Sequence, residues 1–261
     1  MDDMIVAHIN GKMLTWARER AALTVAHLAK GKMTVEKLQA WEAGTEFPSQ
    51  TQAIALADKL DISYAMLFMP AVPPPDTLNI RDLRTVTGQI LARPSLDFRA
   101  VLNDATIRQE WLRETRIEED AAPLSFVGKF TTAADAKTVA ADMRGTLQLT
   151  REDRRLCLNY EVFVKHLVAR AEDIGILVMR SAIVGHATNR PLNVSEFRGF
   201  ALIDAFAPVV FINDADAKAA QIFTIIHEMV HIWIGADGVS DRTPNTKSDS
   251  RNGIEIFCDK V

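Results

Sequence analysis

The 261 residues hold 30 Lys and Arg against 34 Asp and Glu, a net charge of −4, with 48% apolar and 25% charged positions. These proportions exclude a disordered or fibrous chain and leave no global basic field to grip nucleic acid through its phosphates. At roughly 150 residues per domain, the length predicts one to two domains.

The opening Met1–Val6 is acidic and lacks the basic and apolar regions of a secretory signal, and Cys157 and Cys258 stand far apart in the chain. Both features point to a reducing, cytoplasmic setting. The longest apolar stretches, around Phe200–Asn213 and Gln221–Gly235, are broken by Asp or by a His-Glu pair, so no membrane span is expected.

In chain order, apolar-periodic runs at Gly11–Ala22, Val25–Lys30, Thr34–Ala43 and Ser49–Leu60, punctuated by Gly31, Gly44 and Pro48, predict short helices, with a further turn over Ser63–Phe68. Met69–Asp76, rich in proline, reads as an extended linker. Ser95–Glu119 predicts a long helix with Leu96, Phe98, Val101, Leu102, Ile107 and Trp111 available for its core face. Ala133–Leu147 and Asp153–Asp173 supply two more helices. The period then shortens. Gly175–Arg180, Phe197–Leu202 and Pro208–Asn213 are β-branched or aromatic runs between turn formers, as strands are. Asn213–Asp216 offers cap residues to a strong helix over Ala217–Ile234, and Ile254–Val261 begins another. The expected class is α+β: an all-α domain over 1–69, a Pro-rich linker over 70–94, and an α+β domain over 95–261.

The sharpest motif is His227-Glu228-Met229-Val230-His231 inside the apolar helix. Residues four apart share a helix face, so both imidazoles can point at one Zn2+ ion. Glu228 is rotated about 100° from His227, out of the ligand pair and toward the work of a general base. Unpaired His and Glu are costly to bury in such a helix, and metal binding removes that cost.

A catalytic zinc site takes a third protein ligand and keeps one position open. Glu255, at the start of the last helix, is the natural third ligand, with Asp237, Asp241 and Asp249 as competitors. Asp259 lies one turn beyond Glu255 and is placed to accept a hydrogen bond from a ligand imidazole. Cys258 reads as a buried helix cysteine, with redox sensitivity as the alternative.

Phe197–Phe200, Ala207–Asn213, Phe223–Gly235 and Ile254–Cys258 together resemble the ImmA/IrrE family of zinc metallopeptidases, most clearly from Ile176 onward. The resemblance implies a zincin-like (gluzincin) domain in which an edge strand, here sought in Phe200–Ile212, holds an extended peptide beside the metal. It implies the same roles for His227, Glu228, His231 and Glu255, and amide hydrolysis of a protein such as a transcriptional repressor or antitoxin. His186 and Arg198 are candidates for an oxyanion donor, each more readily a structural or surface residue.

Leu14–Arg20, Val25–Leu28 and Thr34–Trp41 resemble an XRE-type helix-turn-helix, which implies a recognition helix at Thr34–Ala43 with Thr34, Lys37 and Gln39 as candidate DNA contacts. Residues 1–68 hold seven Lys and Arg against eight Asp and Glu, where a duplex reader shows a basic face. The alternatives for this module are protein recognition or homodimer formation. For the whole chain, the rival reading is a DNA-binding transcription regulator with a sensory or inactive peptidase-like domain. A helix that begins near Ile254 is expected to run past Val261, so the second domain reads as cut short.

Overall fold

A computed structural model describes residues 5–21, 23–29, 31, 33–73, 94–235, 238–240 and 253–261. These divide into two compact units, the first of residues up to 73 with 94–99, the second from residue 100 onward. Most of the predicted linker, residues 74–93, lies outside the described residues.

The first unit is helical throughout: α1 (Gly11–Arg20), α2 (Val25–Leu28), α3 (Val35–Ala43), α4 (Gln50–Lys59) and a 3-10 turn at Tyr64–Phe68. Each α-helix starts where a short polar side chain, Asn10, Thr24, Thr34 or Ser49, accepts a bond from an amide of the first turn. Gly44, at φ 71°, ends α3 in the left-handed conformation that glycine adopts without strain. Leu14, Leu28, Leu38, Trp41, Leu56, Leu60 and Leu67 form one buried cluster. Gly11 lets α1 and α3 touch, since a Cβ there would stand 2.7 Å from the Trp41 carbonyl oxygen.

The helix α5 (Leu96–Glu118) follows. Phe98, Val101 and Leu102 are buried as predicted, but Ile107 and Trp111 are 56% and 67% exposed. The buried stripe instead continues to Ala105, and beyond it the half-buried Gln109 donates through Nε2 to the carbonyls of Leu202 and Ala207. Positions 107 and 111 fall on the opposite side of the helix.

Beyond α6 (Ala136–Thr146), the single helix expected over Asp153–Asp173 is two, α7 (Arg151–Leu156) and α8 (Tyr160–Asp173). The break has a local cause. Thr150 and Asp153 close a capping box at the start of α7, and the Asn159 side chain accepts from the Val162 amide to start α8 afresh.

The strands are β1 (Leu177–Ser181), β2 (Ile183–Val184), β3 (Ala187–Pro191), β4 (Gly199–Leu202), β5 (Val209–Asn213) and β6 (Gly238–Ser240). β2 and β3 form a separate hairpin, and the main sheet has the order β1-β5-β4-β6. β1 runs parallel to β5, while β4 is antiparallel to both β5 and β6. This corrects the edge-strand expectation. Phe200–Ile212 spans β4 and β5, which are both interior, because the chain returns after the helix α9 (Lys218–Ile234) to pair β6 with β4. The edges are β1 and β6.

Alternation along β4 and β5 separates two faces. Ala201, Val210 and Ile212 pack with Ile225, Met229 and Val230 of α9 (Lys218–Ile234). Phe200 and Phe211, register partners, stack on the other face with centroids 5.0 Å apart. The expected Asx cap of α9 is not the one found. The N-cap is Ala217, and Gln221 Nε2 instead ties the helix start to the carbonyls of Asp214 and Asp216. At the other end Gly235, at φ 66°, caps the helix. The amides of Gly128 and Phe130 donate to the carbonyls of Ile232 and Trp233 at 2.9 and 3.0 Å. A last helix, α10 (Gly253–Lys260), packs on α9 through Phe257 and Cys258. Among the described residues no helix is long and apolar enough to cross a membrane.

Candidate metal centre

The centre forms where α10 meets the buried face of α9. Nearly the whole of α9 from Thr224 to Trp233 is buried, and within it His227, Glu228 and His231 are exposed by 1%, 0% and 0%. Polar groups so deep need partners. For the two imidazoles the partners come from α10, where Glu255 and Asp259 stand one helical turn apart.

Oε2 of Glu255 lies 3.1 Å from Nε2 of His227, Oε1 lies 3.3 Å from Nε2 of His231, and the two Nε2 atoms are 3.3 Å apart. On the far side of the His227 ring, Asp259 Oδ1 is 3.5 Å from Nδ1. A tetrahedral ion with bonds of about 2.0–2.1 Å sets its donors about 3.3–3.4 Å apart. Two imidazole nitrogens and a carboxylate at these spacings therefore fit one face of such a tetrahedron.

Burial opposes the ionised form of Glu255, but bonds from His227 and His231 outweigh it and hold the carboxyl far below the usual carboxylate range. Burial likewise opposes a charged His231. Its contacts with Cys258, Glu255 and Glu228 reverse that and raise the imidazolium well above its ordinary value. Burial pushes the Cys258 thiol up.

The Glu228 side chain is fitted against the sheet. A Cβ at Gly199 would stand 3.4 Å from Glu228 Cγ and 2.6 Å from Thr224 Cγ2, so the glycine of β4 makes the room that this stretch of α9 occupies. One turn before His227, Phe223 is 45% exposed, its ring 5.8 Å from the imidazole.

The structure thus brings together His227, His231, Glu255 and Asp259, with Glu228 beside them. Asp237, Asp241 and Asp249, the competing ligands, lie outside the described residues. His186 is exposed in the β2–β3 turn, and Arg198 pairs with Asp216 at 3.4 Å, a structural contact at the foot of α9. Cys258, read from the sequence as a buried helix cysteine, joins the cluster. Its Sγ and a ring nitrogen each of His227 and His231 lie within 4.8 Å of one another. Its spacing of three from Glu255 was the available signal, since that spacing shares a helix face. In the first unit, Thr34 caps α3 and Lys37 and Gln39 are exposed on it.

Comparison with curated proteins and with solved structures yields no match. The family comparison does: residues 171–257, from the end of α8 into α10, match the peptidase M78 family, described as an IrrE N-terminal-like domain. The match takes in His227, Glu228, His231 and Glu255 and stops just short of Cys258 and Asp259. Residues 171–257 are thus similar to an IrrE N-terminal-like domain, a metallopeptidase-like one.

Proposed function

We propose that this protein is a zinc-dependent endopeptidase that hydrolyses a peptide bond in a cytoplasmic protein, such as a transcriptional repressor or antitoxin. The observation that carries the reading is the triangle of His227, His231 and Glu255 donor atoms, 3.1–3.3 Å on a side, with Glu228 buried one residue along the same helix. The substrate class follows from the family resemblance. His227, His231 and Glu255 would hold the ion, which when bound supplies Lewis acidity for a scissile carbonyl and an attacking water. Glu228 accepts a proton at its carboxylate from that water and returns it to the leaving amine nitrogen. With a metal at Nε2 of His227, Asp259, 3.5 Å from Nδ1, would face the remaining N–H of the ring and steady it.

Glu228→Gln should keep the metal and abolish cleavage of the cognate protein. Equal cleavage by the variant and the wild type removes the enzymatic reading.

A second reading, a DNA-binding regulator with a sensory or inactive peptidase-like domain, is favoured by the exposure of Lys37 and Gln39 on α3, whose start Thr34 fixes. It calls for sequence-specific duplex binding by the full chain with steep salt dependence, lost in Lys37→Ala with Gln39→Ala. Duplex binding that ignores both substitutions removes this role for α3.

A further inference from the structure

α10 brings more to the centre than one carboxylate ligand and its buttress. Glu255, Cys258 and Asp259 are spaced by three and four residues, so one face of the helix presents all three toward α9. Cys258 is buried, and its sulfur is grouped with two imidazoles that are themselves buried in an apolar helix. Two nitrogens and one sulfur so gathered are the donor types that zinc and other borderline divalent ions select. The other cysteine, Cys157, sits at the C-cap of α7 on a different element.

We propose that Cys258 is a fourth protein donor to the metal centre, its thiolate filling the position that a catalytic site leaves to water. The inference rests on the metal-centre reading above. Three protein donors and one open position make a catalytic shell, whereas four protein donors make the closed shell of a structural site. One centre would then have two states, closed with the sulfur in and open with it out. Closing would release the thiol proton and the water of that position to solvent, and opening would take both back. The exchange needs neither oxidant nor reductant.

X-ray absorption at the zinc edge, on the full chain loaded with zinc under reducing conditions, reads the donor set. One sulfur at about 2.3 Å among nitrogen and oxygen neighbours at about 2.0–2.1 Å is expected. A shell of nitrogen and oxygen alone, in protein carrying stoichiometric zinc, overturns the inference and leaves the metal-centre reading standing. A chain that takes up no zinc overturns both.

Cobalt(II) loading adds a second readout. The thiolate-to-cobalt charge-transfer band should appear in the wild type and in Cys157→Ala and vanish in Cys258→Ser, and its persistence in Cys258→Ser overturns the assignment. In chelator competition, Cys258→Ser should lose at least the about tenfold in zinc affinity that removal of an outer partner costs. Unchanged affinity counts against Cys258 as a donor.

Discussion

One imidazole is flanked at both nitrogens by one helix: Glu255 sets Oε2 3.1 Å from Nε2 of His227, and Asp259 sets Oδ1 3.5 Å from Nδ1 of the same ring. With a metal at Nε2, the ring's remaining proton would stand at Nδ1, on the side of Asp259.

Asp259→Ala should therefore weaken metal binding by about 10–100-fold without unfolding the chain. Asp259→Asn, which keeps an acceptor for Nδ1–H, should lose less. Chelator competition with circular dichroism as the folding control checks both, and an affinity equal to wild type in Asp259→Ala removes the orienting role.

The charges of the metal-free centre set a stability window. The folded pKa of His231 is raised, so its contribution is complete below the unfolded value of about 6.5 and lost as pH climbs through the folded one. The folded pKa of Glu255 is depressed, so its contribution is present above the unfolded value of about 4.3 and lost as pH falls through the folded one. With a chelator present, the melting temperature owed to this pair should peak between about pH 4.3 and 6.5. With zinc in excess the trend should reverse above that window, because binding requires neutral imidazoles. A chelated protein that gains stability steadily into alkaline pH contradicts the assignment.

Gly199→Ala should separate two functions of β4. The added methyl would meet Thr224 Cγ2 at 2.6 Å and the Phe211 carbonyl oxygen at 2.7 Å, so α9 must shift against the sheet. Overpacking of this kind costs about 1–3 kcal/mol. His227 and His231 lie on the part of α9 facing α10, so on the proposed function metal stoichiometry should survive while hydrolysis, assigned there to Glu228, falls further than stability does. Urea unfolding, metal analysis and turnover on the same preparation check the order of these effects.

Trp233 tests the support beneath the centre. Its ring is fully buried and stacked on Phe126 with centroids 4.5 Å apart, and its Nε1 donates to Asp142 at 2.9 Å. Trp233→Phe keeps the stack and loses the donor, for about 1–2 kcal/mol. Trp233→Ala should cost about 3–5 kcal/mol. Equal urea midpoints for the two variants would show that the ring contributes nothing beyond its hydrogen bond.

Much of this arrangement is legible in one dimension because its causes are local. Asn10, Thr24, Thr34 and Ser49 mark helix starts, Gly44 and Gly235 mark helix ends, and each bounds a helix within a few residues of where the pattern puts it. His227 and His231 are legible because their spacing is the helix period, and Glu255 with Asp259 for the same reason. What escapes is of two kinds. Short elements without a repeat, the β2–β3 hairpin and the three residues of β6, carry no periodic signal. Long-range order is the other kind: that β4 lies inside the sheet depends on a strand that returns after α9, which no pattern within β4 records. Ile107 and Trp111 show the same limit, since apolar residues at helical spacing do not say which side of α5 is covered.

The amides of Gly128 and Phe130 reach the last carbonyls of α9 that would otherwise turn to water. The helix end that carries His231 is thereby moored to a second segment of backbone, and it can loosen only when that segment lets go as well. The two imidazoles of the centre therefore stand on a helix whose C-terminal end is tied to a second stretch of backbone, and whatever frays that tie reaches His231 first.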